Sequence, residues 1–229
     1  MLDIARIKAI TLDLDDTLWP IWPTIHRAEQ ALAEWLAHRA PGAAAVFADP
    51  HARLAVREHV VQTRPDMGHD LSAIRRESIR TALHRSDEDT SLAEPAFEIF
   101  FAERMRVDLF DDVLPALAAL SARFPIVAVS NGNAHVGRVG LGHFFVDSLS
   151  ASDYGVAKPD ARIFHAAAGK AGVASAEVLH VGDDAVLDVL GALGAGMQTV
   201  WVNRAQQVWS HAEQPHHTVE SLTELVQIL

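Results

Sequence analysis

Acidic residues with the spacing of a catalytic or metal-binding group follow the first apolar run of the chain. Asp13, Asp15 and Asp16 lie within four positions, and Thr17 comes directly after them. Carboxylates this close raise each other's pKa, and a bound divalent cation would offset their repulsion. Oxygen ligands without His or Cys partners suit Mg²⁺. The alternative is a helix cap, but the following Leu18-Trp19-Pro20 does not begin a helical pattern.

Two further loops carry polar side chains of similar potential. Ser130 and Asn131 precede a glycine, and a hydroxyl with amide groups there could hold an oxyanion. The same residues are also common in ordinary turns. Lys158 precedes a proline, which favours an extended backbone, and it could equally be a solvated surface lysine.

A second acidic segment occupies the fourth loop. Asp183 and Asp184 follow Gly182, and Asp188 comes shortly after them. Asp184 could cap the helix predicted to begin at Ala185, which would leave Asp183 free to reach an ion.

Short apolar runs rich in β-branched residues precede these loops and predict buried parallel strands. Because they alternate with helical patterns, the predicted fold class is α/β, with a parallel sheet flanked by helices. Ligands bind beyond the carboxyl ends of such strands, so the polar loops are expected at one edge of the sheet. The predicted strands are 7–13, 125–130, 145–150, 178–181 and 198–202, and the predicted helices around them are 113–122, 161–171, 185–193 and 221–229.

The segment from residue 20 to 106 carries helical periodicity and no strand pattern, as Ala28, Leu32 and Leu36 illustrate. It predicts an all-helical insertion, with residues 1–19 and 107–229 forming the α/β core. Trp19 and Trp22, near its start, could stack on a planar substrate ring or pack inside the protein.

The composition narrows the class of protein. The chain has 229 residues, of which 49% are hydrophobic and 21% charged, as expected for a globular protein with a sizeable core. A net charge of −11 argues against a nucleic-acid partner, because phosphate backbones recruit clustered basic residues. The absence of cysteine excludes disulfides and thiolate sites. No apolar run reaches the ~20 residues of a membrane span and no signal pattern is visible, so we expect no membrane partner and a cytoplasmic location.

Taken together, the loops resemble the four motifs of the haloacid dehalogenase-like (HAD) hydrolase superfamily. The matching segments are DLDDT from Asp13, SNGN from Ser130, KPD from Lys158 and GDDAVLD from Gly182. The resemblance implies a Rossmann-like core with an inserted helical cap that excludes water and selects substrates. The short stretch between Ser130 and Lys158 leaves no room for a second cap.

The resemblance also implies roles for individual residues and Mg²⁺ as the cofactor. Asp13 would be the nucleophile that forms an aspartyl-phosphate, and Asp15 the general acid and base. HAD members that dehalogenate lack an acid at the position of Asp15, so its presence favours a phosphatase. Asp16 could be a solvated turn residue. The remaining implied roles are metal binding by Asp13, the Asp15 carbonyl and Asp183, phosphate binding by Ser130, Asn131 and Lys158, and support by Thr17, Asp184 and Asp188.

The reaction predicted from this resemblance is Mg²⁺-dependent hydrolysis of a small phosphate ester. Phosphoryl transfer of the phosphosugar mutase type and an inactive binding protein on the same fold are the alternatives. The segments SNGNA, GLGHFF and EVLHVGDDAVLDVLGALGAGMQTVWV are similar to a bacterial branch that hydrolyses flavin mononucleotide and 5-amino-6-(5-phospho-D-ribitylamino)uracil, which implies a role in riboflavin biosynthesis. Sugar phosphates, phosphoglycolate and nucleoside monophosphates are the other candidate substrates. We expect a monomer or a weak homodimer.

A glycine-rich phosphate loop would favour a different enzyme class. The first predicted strand ends in acids and no such loop follows it, which disfavours a P-loop kinase and a dinucleotide-dependent dehydrogenase.

Overall fold

The computed structural model describes all residues from Met1 to Leu229. The chain divides into two compact units, one formed by Met1–Pro20 with Asp108–Leu229 and the other by Ile21–Val107. The second unit is therefore inserted into the first. None of the helices combines the length and the apolar character needed to traverse a lipid bilayer.

The first unit is built on a six-stranded sheet in the order β3-β2-β1-β4-β5-β6, in which every pairing is parallel. The central strand pairs on both sides, with Leu12 opposite Ala128 and Val181. Because all strands run the same way, the loops after them meet at one edge. The predicted parallel α/β core is confirmed. The strands are β1 Ala9–Leu12, β2 Ile126–Ser130, β3 Asp147–Ser150, β4 Val178–Gly182, β5 Gln198–Val202 and β6 His217–Val219.

Helices connect these strands and cover them with apolar side chains. Ile163, Phe164 and Ala167 are fully buried and belong to one hydrophobic cluster with Ala9 and Val127 of the sheet. That cluster explains why the sheet's residues read as unbroken apolar runs. The helices of this unit are α6 Val113–Ser121, α7 Ala151–Tyr154, α8 Ala161–Ala171, α9 Gly191–Gly194 and α10 Leu222–Ile228.

Three elements of this unit differ from the sequence prediction, and one of them is α7, a four-residue helix that was not predicted. β6 was not predicted, since only Val219 of its three residues is buried and the apolar signal is too short. The helix predicted over 185–193 begins as a π-helical turn, Ala185–Leu190, in which the Val189 N–H reaches the carbonyl of Asp184 at 3.2 Å. Such turns widen the helix locally and are frequent at functional sites.

The inserted unit consists of helices with their own apolar core. Leu32, Phe47, Ile79 and Phe97 are at most 2% exposed and belong to one cluster. The backbone N–H groups of Gly42 and Ala43, at the start of one helix, donate to the Glu88 carboxylate at 2.8 Å each, which satisfies otherwise unpaired donors. The helices are α1 Ile21–Ala37, α2 Pro41–Ala48, α3 Pro50–Thr63, α4 Leu71–Arg85 and α5 Ala93–Arg104.

Candidate active site

The acidic loop after β1 turns back on itself instead of starting a helix. Asp13 follows the last residue of β1, is 6% exposed, and donates its backbone N–H to the Val181 carbonyl at 2.9 Å. Asp16 has φ = 59°, a left-handed conformation that aspartate tolerates, and its N–H donates to the Trp19 carbonyl at 2.8 Å. The loop therefore does not run directly into a helix, because the next helix begins at Ile21.

Asp15 is held by a tryptophan four positions further along the chain. The Trp19 indole Nε1–H donates to Asp15 Oδ1 at 2.8 Å, and the Trp19 ring is fully buried. Of the two roles considered for the tryptophans, Trp19 takes the packing role, whereas Trp22 is 66% exposed. The contact fixes the direction of the Asp15 carboxylate, and nothing in the sequence pattern predicted it.

Lys158 brings the third loop into contact with the first and the fourth. Its ammonium group donates to the Asp13 carboxylate and to Asp188 Oδ1, the latter at 2.6 Å. Lys158 is 4% exposed, so the solvated-lysine alternative is wrong. Burial by itself would lower the pKa of Lys158, but Asp13 and Asp188 outweigh it and raise that pKa, so the lysine stays charged.

The second loop contributes Ser130 and Asn131, which have different surroundings. The Ser130 hydroxyl oxygen is buried and accepts from the Gly132 N–H at 2.9 Å, which leaves its own O–H free to donate. The Asn131 side chain is committed to the backbone of Lys158, to which it donates at 2.9 Å and from which it accepts at 2.8 Å. The family resemblance assigns this side chain to phosphate binding. In the structure it instead supports the backbone of Lys158.

The carboxylates of Asp183 and Asp184 in the fourth loop have different hydrogen-bond partners and therefore different roles. Asp184 Oδ1 accepts from the backbone N–H groups of Val186 and Leu187 at 2.8 Å each, so Asp184 caps the π-helical turn, as the sequence suggested. Asp183 Oδ1 accepts from Thr17 Oγ1 at 3.0 Å, and the same hydroxyl lies 3.4 Å from Asp13 Oδ2. Thr17 thus ties the first loop to the fourth.

Gly182 is required by the position of Asp188. A Cβ atom at residue 182 would lie 2.3 Å from Asp188 Cγ, a distance that real contacts do not reach. The absence of a side chain lets Asp188 pass under the strand end and reach Lys158. Asp188 Oδ2 also accepts from the Asp184 N–H at 3.0 Å.

The carboxylates of Asp13, Asp183 and Asp188 form a group that fits a hard divalent cation. One oxygen from each lies within 4.8 Å of the others. Burial raises the pKa of Asp13 well above its ordinary value, and burial together with the nearby Asp188 raises the pKa of Asp183 to about 7. A cation would relieve this unfavourable concentration of charge. Burial would also raise the pKa of Asp188, but Lys158 and His180 lower it overall. Asp188 therefore stays ionised, and its negative charge is already balanced by donors from the protein.

Arg204, which the sequence analysis missed, contacts the acidic loop. It follows β5, the strand that pairs with β4 on the side away from β1. Its guanidinium donates to the Thr17 carbonyl at 3.1 and 3.2 Å and to Asp112 Oδ1 at 3.0 Å, and it lies over the Phe110 ring at 4.1 Å. Its place two residues after β5, at the same sheet edge, was the available signal. Arg204 also lines a cavity of about 350 Å³ that includes Asp183.

Comparison with known proteins places this site in a family. A family model described as haloacid dehalogenase-like hydrolase matches residues 7–196. The chain belongs to the haloacid dehalogenase-like hydrolases. The resemblance inferred from the four motifs is thereby confirmed.

Other members of the HAD-like hydrolases align with nearly the whole chain. The 5-amino-6-(5-phospho-D-ribitylamino)uracil phosphatase YigB of Escherichia coli is 34% identical, covering 99% of this chain and 98% of that protein. A phosphoserine phosphatase of Thermus thermophilus is 30% identical, covering 96% and 98%. The crystal structure titled 2-haloacid dehalogenase from Pseudomonas syringae pv. tomato DC3000 has 36% identity and a TM-score of 0.92, with 97% of each chain covered.

Proposed function

We propose that this HAD-like hydrolase is a Mg²⁺-dependent phosphomonoesterase that acts on a small phosphorylated metabolite through an aspartyl-phosphate. The observation that carries the proposal is the convergence of Lys158 on Asp13 at the sheet edge, beside a second carboxylate, Asp183, that fits a cation. Positive charge at a buried carboxylate is what an incoming phosphate dianion needs in a protein of net charge −11. The phosphatase names of two full-length relatives support the same reaction class.

The residues divide the reaction into two steps. An oxygen of Asp13 attacks phosphorus and forms an O–P bond while the bond from phosphorus to the leaving oxygen breaks, and Asp15 gives its proton to that oxygen. Asp15 then removes a proton from water, which attacks phosphorus, releases inorganic phosphate and restores the Asp13 carboxylate. Lys158 and the Ser130 hydroxyl hold the phosphoryl oxygens through both steps.

The cation would be held by the carboxylates of Asp13 and Asp183 and by the Asp15 carbonyl. When bound, Mg²⁺ supplies positive charge that neutralises the transferring phosphoryl group. Thr17 keeps the two carboxylates in register through its hydroxyl. The Trp19 indole donates to Asp15 Oδ1, a contact that would keep the carboxylate in place during this proton exchange.

The substrate we propose is 5-amino-6-(5-phospho-D-ribitylamino)uracil or flavin mononucleotide. Support comes from the full-length similarity to the Escherichia coli phosphatase of the former compound. The inserted helical unit is the part of the chain to which we assign the selection of this leaving group.

Dehalogenation is the competing reaction, because the similar Pseudomonas syringae protein is described as a 2-haloacid dehalogenase. Asp15 argues against it here. A phosphatase has a leaving alkoxide to protonate, whereas a halide leaves without a proton. The Trp19 indole, which donates to Asp15 Oδ1 at 2.8 Å, keeps this acid in a fixed direction, as a reaction that uses it requires.

A substrate panel with matched readouts tests the proposal. Purified protein with Mg²⁺ is assayed for phosphate release from the two proposed substrates, sugar phosphates, phosphoglycolate and nucleoside monophosphates, and for halide release from 2-haloacids. One phosphate ester hydrolysed at a kcat/KM of ~10⁴ M⁻¹s⁻¹ or more, and not by Asp13→Asn, supports the proposal. Halide release alone, an isomerised sugar phosphate without net phosphate release, or no turnover of any compound would contradict it.

A further inference from the structure

A chain of buried hydrogen bonds leads to the site from behind the sheet edge. Thr11 Oγ1 lies 2.8 Å from His180 Nδ1, and His180 Nε2 lies 3.1 Å from Asp188 Oδ1. Thr11 and His180 face each other across the paired strands β1 and β4. All three side chains are at most 1% exposed, so water cannot substitute for any of these contacts. The chain ends at Lys158, which shares Asp188 Oδ1 with the imidazole.

The chemistry of the partners fixes the tautomer of His180. Asp188 Oδ1 accepts from the Lys158 ammonium at 2.6 Å and Oδ2 accepts from the Asp184 N–H, so both oxygens act as acceptors, and the proton of the imidazole that faces Oδ1 lies on Nε2. The ring is 1% exposed, and burial disfavours the charged imidazolium, so the ring carries this one proton. Nδ1 is then an acceptor, and the Thr11 hydroxyl donates to it. Phe164 packs perpendicular to the imidazole with ring centroids 5.0 Å apart, which further restricts the ring.

These contacts leave Asp188 without rotational freedom. Oδ1 accepts from His180 and Lys158, and Oδ2 accepts from the Asp184 N–H. Removal of the imidazole donor would leave Lys158 as the only side-chain partner of Asp188. The carboxylate and the ammonium could then turn together, which would draw Lys158 away from Asp13. A misplacement of about 1 Å at such a group is enough to reduce a rate substantially.

We propose that His180, oriented by Thr11, is a positioning residue that locks Asp188 and thereby holds the Lys158 ammonium at Asp13. This inference rests on the proposed phosphatase function for its kinetic consequence. The hydrogen-bonded chain itself does not depend on the substrate. Neither Thr11 nor His180 belongs to the site residues that the family resemblance assigns.

The kinetic test uses substitutions that separate the hydrogen bond from the volume of the ring. His180→Phe keeps an aromatic ring next to Phe164 but removes the donor, and His180→Gln restores an N–H at similar reach. We expect His180→Phe to lower kcat ~10-fold to 100-fold, the range for residues that orient a ligand group, with a change in KM below about threefold. His180→Gln should retain more of kcat than His180→Phe. Equal kcat in wild type and His180→Phe, or equal losses in both variants, would overturn the proposal.

Thr11, the other residue of this hydrogen-bonded chain, allows a double-mutant cycle with His180. A merely structural role would not give the result expected from that cycle. Thr11→Val removes the hydroxyl at nearly constant shape and should lower kcat less than His180→Phe, while Thr11→Ser stays near wild type. Because both residues act through one hydrogen bond to Asp188, Thr11→Val should cost nothing further in a His180→Phe background. Additive losses in the double variant would contradict the proposed route.

A spectroscopic readout distinguishes failure of this inference from failure of the proposed function. Imidazole ¹⁵N spectra of the full-length protein at about pH 7 should show His180 protonated at Nε2 alone, with Thr11→Val moving its Nδ1 resonance. A ring protonated at Nδ1 overturns the positioning proposal whatever the enzyme hydrolyses. Wild-type protein that hydrolyses no phosphate ester overturns the proposed function, while the Nε2 tautomer would still support the hydrogen-bonded chain.

Discussion

Asn131 holds the backbone of Lys158 on both sides of the residue. Its Nδ2 donates to the Lys158 carbonyl at 2.9 Å, and its Oδ1 accepts from the Lys158 N–H at 2.8 Å, across 27 positions of sequence. The paired contacts fix the stem from which the lysine side chain reaches Asp13. The two contacts therefore join the loop after β2 to the loop of Lys158, although no local sequence signal links these loops.

The first prediction follows from this contact. Asn131→Ala removes both hydrogen bonds, so we expect a loss of kcat of about tenfold and a loss of about 1–2 kcal/mol in the free energy of unfolding. Steady-state kinetics and urea unfolding measure the two effects. Gln214→Ala removes an exposed side-chain amide that donates to the nearby His211 carbonyl at 3.2 Å, so it is the control and should stay within about twofold of wild-type kcat. Wild-type kinetics in Asn131→Ala would show that Lys158 needs no support from this loop.

The acidic loop offers three substitutions of identical chemistry at neighbouring positions. Asp13→Asn removes the proposed nucleophile and Asp15→Asn the proposed acid, so each should lower kcat by at least ~10³-fold. Asp16→Asn changes the charge equally and keeps a residue that tolerates φ = 59°, so kcat should stay within about threefold. The measurement is phosphate release under saturating substrate. Equal losses of kcat at all three positions would show that the loop acts only through its total negative charge, and would contradict the roles assigned to Asp13 and Asp15.

Two glycine substitutions should act in opposite directions. Gly182→Ala places a methyl group 2.3 Å from Asp188 Cγ, so it should displace Asp188 and Lys158 and cost both activity and stability. Gly169→Ala in α8 meets nothing within 4 Å, and it should raise the free energy of unfolding by about 0.5–1 kcal/mol because alanine favours a helix. Thermal unfolding and phosphate release monitor the pair. An active and stable Gly182→Ala protein is the result that would contradict the close approach of Asp188.

The effect of Mg²⁺ on stability should depend on pH. The pKa of Asp183 is raised to about 7, so the stability that this group contributes is present at low pH and is lost as pH rises through about 7. Mg²⁺ needs the carboxylate and competes with the proton, so its affinity should be about tenfold higher at pH 8 than at pH 6. Differential scanning fluorimetry with and without Mg²⁺ should therefore show a larger increase in Tm at pH 8.

The control for this dependence is Asp183→Asn, which removes one of the two metal-binding carboxylates with a raised pKa and should make the pH-dependent part of the Mg²⁺ effect smaller. A Tm increase of the same size at both pH values in wild type would show that the proton and the cation do not compete at Asp183.

Local sequence signals predicted the fold of the first unit well. Gln198–Val202 was predicted with the bounds the structure has, since four consecutive apolar or β-branched residues follow Gln198 and end at the polar Asn203, a pattern typical of a buried strand. β6 was missed because a three-residue edge strand with one buried position carries almost no pattern. The π-helical turn at Ala185–Leu190 was read as an ordinary helix because both have similar residue preferences.

The sequence by itself determined which residue types meet at the sheet edge, because parallel strands bring the loops after them together whatever the details of packing. It also determined the family, through four spaced motifs. Only the tertiary structure decided what each side chain does there: that Asn131 serves Lys158, that Trp19 holds Asp15, and that His180 and Thr11 reach Asp188. Those contacts join residues far apart in sequence or depend on side-chain direction, and neither periodicity nor spacing carries that information.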